Sequence, residues 1–294
     1  MKFSRLNAIL LTALVTLITW SCGSKKEENT SEEFNQAEQT LQDQIKDVVY
    51  NIPSPTEIPY LLQATGAEFN PTLINDRKKV DQYASISDKA ALNLGVYAAD
   101  IGYLSSYDKT QEAIDYLNAA KSLADNIGVI GAFDTDLLTK FEANIANKDS
   151  LGALLNATVQ KTDRYLKDDS RNKLASLMIT GSFVEGLYIS TGLIKSYPKN
   201  LLPDDARNLV LTPLIRVILE QQKSVSELLK MLSTVEQTEP VASIVADLTA
   251  LEASYRALNI DEQIKNNRAD LVLTDKNLTD ITVIVEKLRK EIIK

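Results

Sequence analysis

Histidine is absent from the 294 residues and cysteine occurs once, at position 22. Without histidine there is no Ser-His-Asp or Cys-His nucleophile system, no histidine general base and almost no route to a zinc or iron site. A single cysteine cannot close an internal disulfide. Glycine (10) and proline (8) are also scarce, so few positions punctuate the chain. The chemistry left open is carboxylate work, Lys/Ser chemistry, or oxygen-ligated Ca²⁺ or Mg²⁺. The sequence contains no spaced calcium loop, no phosphate-binding glycine loop and no nucleophile elbow. The expectation is therefore a protein that is not an enzyme, with no catalytic, cofactor-binding or metal-ligating residue.

Basic residues are the minority charge, 32 against 40 acids, for a net charge of −8. A surface so composed lacks the basic footprint that nucleic-acid phosphates require, and it has no electrostatic hold on anionic lipid.

The first residues carry a pattern of their own. Lys2 and Arg5 precede an apolar run from Ala8 to Trp20, followed by Ser21-Cys22-Gly23. Such a helix spans roughly 20 Å, short of the ~30 Å bilayer core, which fits a secretory signal better than a permanent span. Thr19-Trp20-Ser21-Cys22 resembles the lipobox of bacterial lipoproteins, although leucine at −3 and a small residue at −2 are missing. The resemblance implies cleavage after residue 21 and acylation of Cys22, with at least two chains and hence a stable anchor. Residues 22–30 then read as an acylated cysteine with a polar tether. Lys25-Lys26-Glu27-Glu28 resembles the surface-export signal of Bacteroidota lipoproteins. The expected location is the outer membrane, on its cell-surface or periplasmic face.

Beyond the tether, apolar residues recur every three or four positions, which predicts an all-α fold. One helical domain over 31–294, a bundle of about eight to ten helices, is expected. Helices are predicted from Ser31 to Tyr50, up to Ala64, and from Asp88 to Tyr107. A helix over Thr110–Asn126 follows, capped by Asp108 and ended by Gly128. Further helices are predicted over Thr135–Asn147, Asp149–Lys167, and from a Ser170 cap to Ser196. The remaining ones cover 204–233 with a break near Pro213, a segment opened by Glu239-Pro240, and Asp275–Ile293. An irregular connection is expected from Asn70 to Tyr83, and Asp270–Leu273 is the one short strand candidate. The Asn51-Ile52-Pro53-Ser54-Pro55 turn and the stretch from Ala91 to Tyr103 resemble predicted Bacteroidota lipoproteins. That resemblance attaches no activity and no functional residue.

Three otherwise apolar stretches each hold one charge: Asp100 within Ala90–Tyr107, Glu185 between Lys173 and Lys195, and Arg216 within Val210–Leu219. Helices apolar on every face belong at the centre of a bundle, so burial of these charges is expected. Asp100 shares a helical stripe with Asn93, Tyr97, Tyr103 and Tyr107; Glu185 shares one with Gly181, Ser182, Tyr188 and Gly192. A buried carboxylate must be paired, protonated or solvated. One reading is an internal network in which Arg216 neutralises one acid and tyrosine hydroxyls satisfy the other. Another is a cleft in which Asp100, Glu185 and Tyr188 grip a small polar ligand. A carboxylate pair for glycoside hydrolysis is the third. The expected function is a membrane-anchored accessory or scaffold module binding another envelope protein, with small-ligand binding as the alternative.

Overall fold

The computed structural model describes residues 57–128, 139, 140, 143, 169–258 and 275–294, all of them in one unit, Leu41–Lys294. Of these residues 80% are helical and none is in a strand, so the fold is all-α. Nine α-helices are described: α1 (Glu57–Ala64), α2 (Val80–Ala84), α3 (Ser87–Ser106), α4 (Thr110–Asn126), α5 (Asp169–Ser196), α6 (Asp204–Leu219), α7 (Gln222–Ser233), α8 (Val241–Ala257) and α9 (Asp275–Ile292). All but α2 are eight residues or longer. The expected signal peptide, the acylation site at Cys22, the tether and the domain start near residue 31 lie outside the described residues. So do the expected helix over 31–50, the 51–55 turn, the helix over 149–167, the strand at 270–273 and, except for helical residues 139, 140 and 143, the helix over 135–147.

The 28 residues of α5 extend over about 42 Å at 1.5 Å per residue. Among the described helices α5 alone is long and apolar enough to cross a membrane, yet 78% of that window is buried inside the protein. What buries it is α3 above all, together with α1, α6, α7 and α9. Small residues set the α3–α5 approach. A Cβ on Gly95 would lie 1.9 Å from Met178 O, and one on Gly181 would lie 2.0 Å from Leu92 O. The two backbones therefore touch where these glycines meet, and neither position has room for a methyl group. At Gly192 the occupant is the Leu73 side chain, 2.6 Å from an added Cβ.

Helix ends explain where the expectations failed. Asp108 does not cap α4; Lys109 precedes that helix and no side chain caps it. Asp108 instead sits at φ +57° and terminates α3. Its N–H bonds Ser105 O (3.2 Å) and the Lys109 N–H bonds Leu104 O (2.9 Å), the Schellman pattern with aspartate where glycine is usual. Gly66, at φ +88°, closes α1 the same way through Gly66 N–Gln63 O and Ala67 N–Leu62 O. Ser170 is the second residue of α5 and not its cap. Pro240 stands at the N-cap of α8, one place before the first turn. The chain does not break at Pro213: α6 runs through it, and the interruption falls at Glu220–Gln221. Proline removes one hydrogen bond and costs about 3 kcal/mol; burial of Leu214, Ile218 and Leu219 offsets that. The Asn70–Tyr83 connection is more regular than expected, with 3₁₀ turns at Pro71–Leu73 and Arg77–Lys79. The Asn70 and Asp76 side chains cap these turns by accepting from the N–H two residues on.

Candidate functional site

Asp100 on α3 and Glu185 on α5 both have 0% exposure, as expected from their apolar surroundings. Arg216 is different. Its side chain is 57% exposed and bonds Glu220 Oε1 at 2.8 Å, one turn along α6. The expected neutralisation by Arg216 is therefore wrong. That arginine lies on the outer face of α6, while Leu214, Ile218 and Leu219 take the inner face.

The cation that meets Glu185 is Arg289, in the last turns of α9. Its Nε donates to Oε2 at 2.9 Å and to Oε1 at 3.1 Å, and Nη2 donates to Oε1 at 2.9 Å. Both carboxylate oxygens are engaged by one planar fork, a geometry that only arginine offers. The guanidinium carbon also lies 4.2 Å from the Tyr188 ring centroid, so Tyr188 backs the cation with its π face. Burial works to lower the Arg289 pKa, but the bonds and charge of Glu185 outweigh it and raise the value.

Asp100 has less company. Its Oδ2 accepts the Asn75 N–H at 3.2 Å, and its Oδ1 is buried with no hydrogen-bond partner. Burial, then the Glu185 charge, push its pKa well above the usual carboxylate range, against the opposing pull of Arg289 and the Asn75 N–H. For Glu185 burial raises the pKa, and Arg289, bonded to both oxygens, only partly offsets that rise. One cation faces two buried carboxyls, and burial together with the neighbouring Glu185 charge favours the protonated form of Asp100.

The expected contact of tyrosine hydroxyls with the acid is also corrected. Tyr97 donates to Asp76 O (3.2 Å), and the Tyr103 hydroxyl exchanges bonds with the Asn70 N–H (2.9 Å) and C=O (3.3 Å). Tyr103 belongs to a separate cluster with Phe69 and Tyr107, at ring separations of 5.1 and 5.2 Å. Both tyrosines fasten the 70–76 connection onto α3. Burial raises the pKa of each, and pushes that of Tyr107 up to about 12.

Residues outside the sequence-based set complete the arrangement. Asn75, 1% exposed, donates through Nδ2 to Tyr83 OH (3.2 Å) and Asn93 Oδ1 (3.3 Å), and its carbonyl accepts from Tyr116 OH (2.8 Å). Asn93 Nδ2 donates to Ile292 O (3.0 Å) and Tyr83 OH donates to Ile293 O (3.0 Å), satisfying carbonyls that the end of α9 leaves open. Sequence did carry a signal for Arg289: it lies four residues after Val285 and three before Ile292, both buried. A charge on that apolar stripe is as informative as Asp100 on its own. No comparable signal marks Asn75, which sits in a connection without periodicity.

Among the described residues no group of three or more acids or thiols is placed to hold a metal ion. The arrangement can fix helices and store a proton. No protein-family model, no curated protein and no solved structure matches this chain.

Proposed function

We propose that this chain is a lipid-anchored, non-enzymatic helical accessory protein of the bacterial envelope, tethered through Cys22 and binding another envelope protein. The anchor rests on the sequence: a charged start, a short apolar run and a lone cysteine followed by a polar segment. The observation that carries the non-enzymatic half is the commitment of the central charges. Glu185 is held on both oxygens by Arg289, and neither carboxyl reaches solvent. A ligand-binding alternative using Asp100, Glu185 and Tyr188 requires Arg289 to leave first. A glycosidase needs two carboxyls spanning a substrate bond, whereas these two are buried inside the bundle and one of them is held on both oxygens by Arg289.

The test is chemical cross-linking of intact cells carrying a tagged full-length chain, with detergent extraction and mass spectrometry, beside a Cys22→Ser version. The expected result is a stoichiometric envelope protein with the wild type, and release of Cys22→Ser from the membrane fraction. A wild type that purifies without a partner sinks the accessory reading. Cys22→Ser remaining in the membrane after its signal is removed sinks the anchor.

A further inference from the structure

We propose that Asp100, Glu185 and Arg289 form a proton-operated latch, in which one proton on the acid pair holds α9 against α3 and α5 and its loss loosens that helix. The charges are simple to count. Arg289, with its side chain 10% exposed, brings a single positive charge to two carboxyls at 0% exposure. With both acids ionised the cluster carries −1 in a region that water does not reach; with one proton it is neutral.

Geometry decides where that proton sits. Both Glu185 oxygens already accept from the guanidinium. Asp100 Oδ2 accepts from Asn75, and Oδ1 accepts from nothing. A hydrogen on Oδ1 turns an orphan acceptor into a donor toward Glu185. Among the described residues Arg289 is the one cation bonded to either carboxyl, and Lys79 Nζ is placed on Ile293 O at 3.4 Å. Tyr83 on α2, Tyr97 on α3 and Tyr116 on α4 are neutral phenols committed to Ile293 O, Asp76 O and Asn75 O. Asp76 is exposed, and the Arg77–Asp115 pair lies at the surface.

When the Asp100 O–H bond breaks, the proton passes to solvent and the electron pair stays on Oδ1, leaving two anions to compete for one guanidinium. The wall that yields is α9. Helices α3 and α5 meet backbone to backbone at Gly95 and Gly181. By contrast α9 leans on α5 and α8, and two further ion pairs that tie it to those helices, Lys195–Glu286 and Lys287–Asp247, involve lysines 64% and 65% exposed. Such exposed pairs hold weakly.

The experiment is amide hydrogen exchange of the full chain by mass spectrometry from about pH 4, near the free carboxyl value, to pH 9. Rates are corrected for intrinsic base catalysis. Wild type and Asp100→Asn are compared, since asparagine keeps a donor at this place but cannot lose its proton. Wild-type protection over 281–292 should fall about tenfold per pH unit, the slope for one released proton, and then level off. Protection in α3 and α5 should hold, and Asp100→Asn should show no such fall. A flat wild-type profile, or an equal slope in the variant, overturns the latch. In the wild type an infrared band of a protonated carboxyl should persist at about pH 6, where free carboxyls are ionised, and vanish at higher pH. Its absence at about pH 6 overturns the proposal even if the variant does not fold.

Discussion

Arg289 holds Glu185 with two arms of its guanidinium in a place without solvent, so Arg289→Ala leaves a bare carboxylate there. The loss expected is about 3–5 kcal/mol of unfolding free energy, measured by urea denaturation. Arg216→Ala removes an exposed pair one helical turn long and should shift stability by no more than about 0.5 kcal/mol. Comparable losses from the two changes would show that Arg289 is not the buried partner. Glu185→Gln should cost less than Arg289→Ala, because Asp100 can then release its proton and supply the missing negative charge. In the double comparison, Asp100→Asn should add little to Arg289→Ala but much to Glu185→Gln; additivity in both backgrounds would refute the shared countercharge. Burial of Asp100 and Glu185 was readable from their isolation in apolar stretches. The same rule misplaced Arg216, because a ten-residue window with one charge does not say which side of the helix faces out.

For the elements, the sharpest expectation concerns the crossing of α3 and α5. Gly95→Ala or Gly181→Ala places a methyl group about 2 Å from a backbone oxygen, so the helices must separate along their whole contact. Each should destabilise by about 3 kcal/mol or more, seen as a fall in melting temperature, since overpacking a tight core typically costs ~1–3 kcal/mol before backbone is forced apart. A melting temperature within a degree or so of wild type would mean that the backbones are not in contact. Asp108→Gly runs the other way. It relieves a left-handed aspartate at the Schellman position and should stabilise by about 0.5–1 kcal/mol, with Asp108→Ala the less stable of the two. Helix positions were legible in α1, α3, α4 and α9, where apolar spacing and a terminal glycine or turn agree. Less legible were caps and breaks. Asp108 looked like an N-cap because aspartate favours both that role and the left-handed conformation, and Pro213 looked like a break because local rules omit the packing that offsets it.

For the protein as a whole, Asp100 contributes a stability that falls as pH rises. The folded-state pKa of Asp100 lies above its unfolded value, so the native state holds a proton that the unfolded chain gives up. Its stabilising contribution is complete below about pH 4, the unfolded value, and falls as pH rises to the folded value, remaining flat beyond. Thermal melts should therefore show a midpoint that declines with rising pH across this window, and Asp100→Asn should remove that decline. A midpoint that climbs throughout the window would refute the assignment. The amino-acid sequence by itself determined the helical class, the burial of Asp100 and Glu185 and most helix boundaries, because these depend on the spacing of apolar residues along a single element. Only the tertiary structure decided that Arg289 meets Glu185, that Asn75 meets Asp100, and that the two glycines face each other's helix. Those pairings join residues 25 to 104 positions apart, and their selection comes from packing several helices at once against α5.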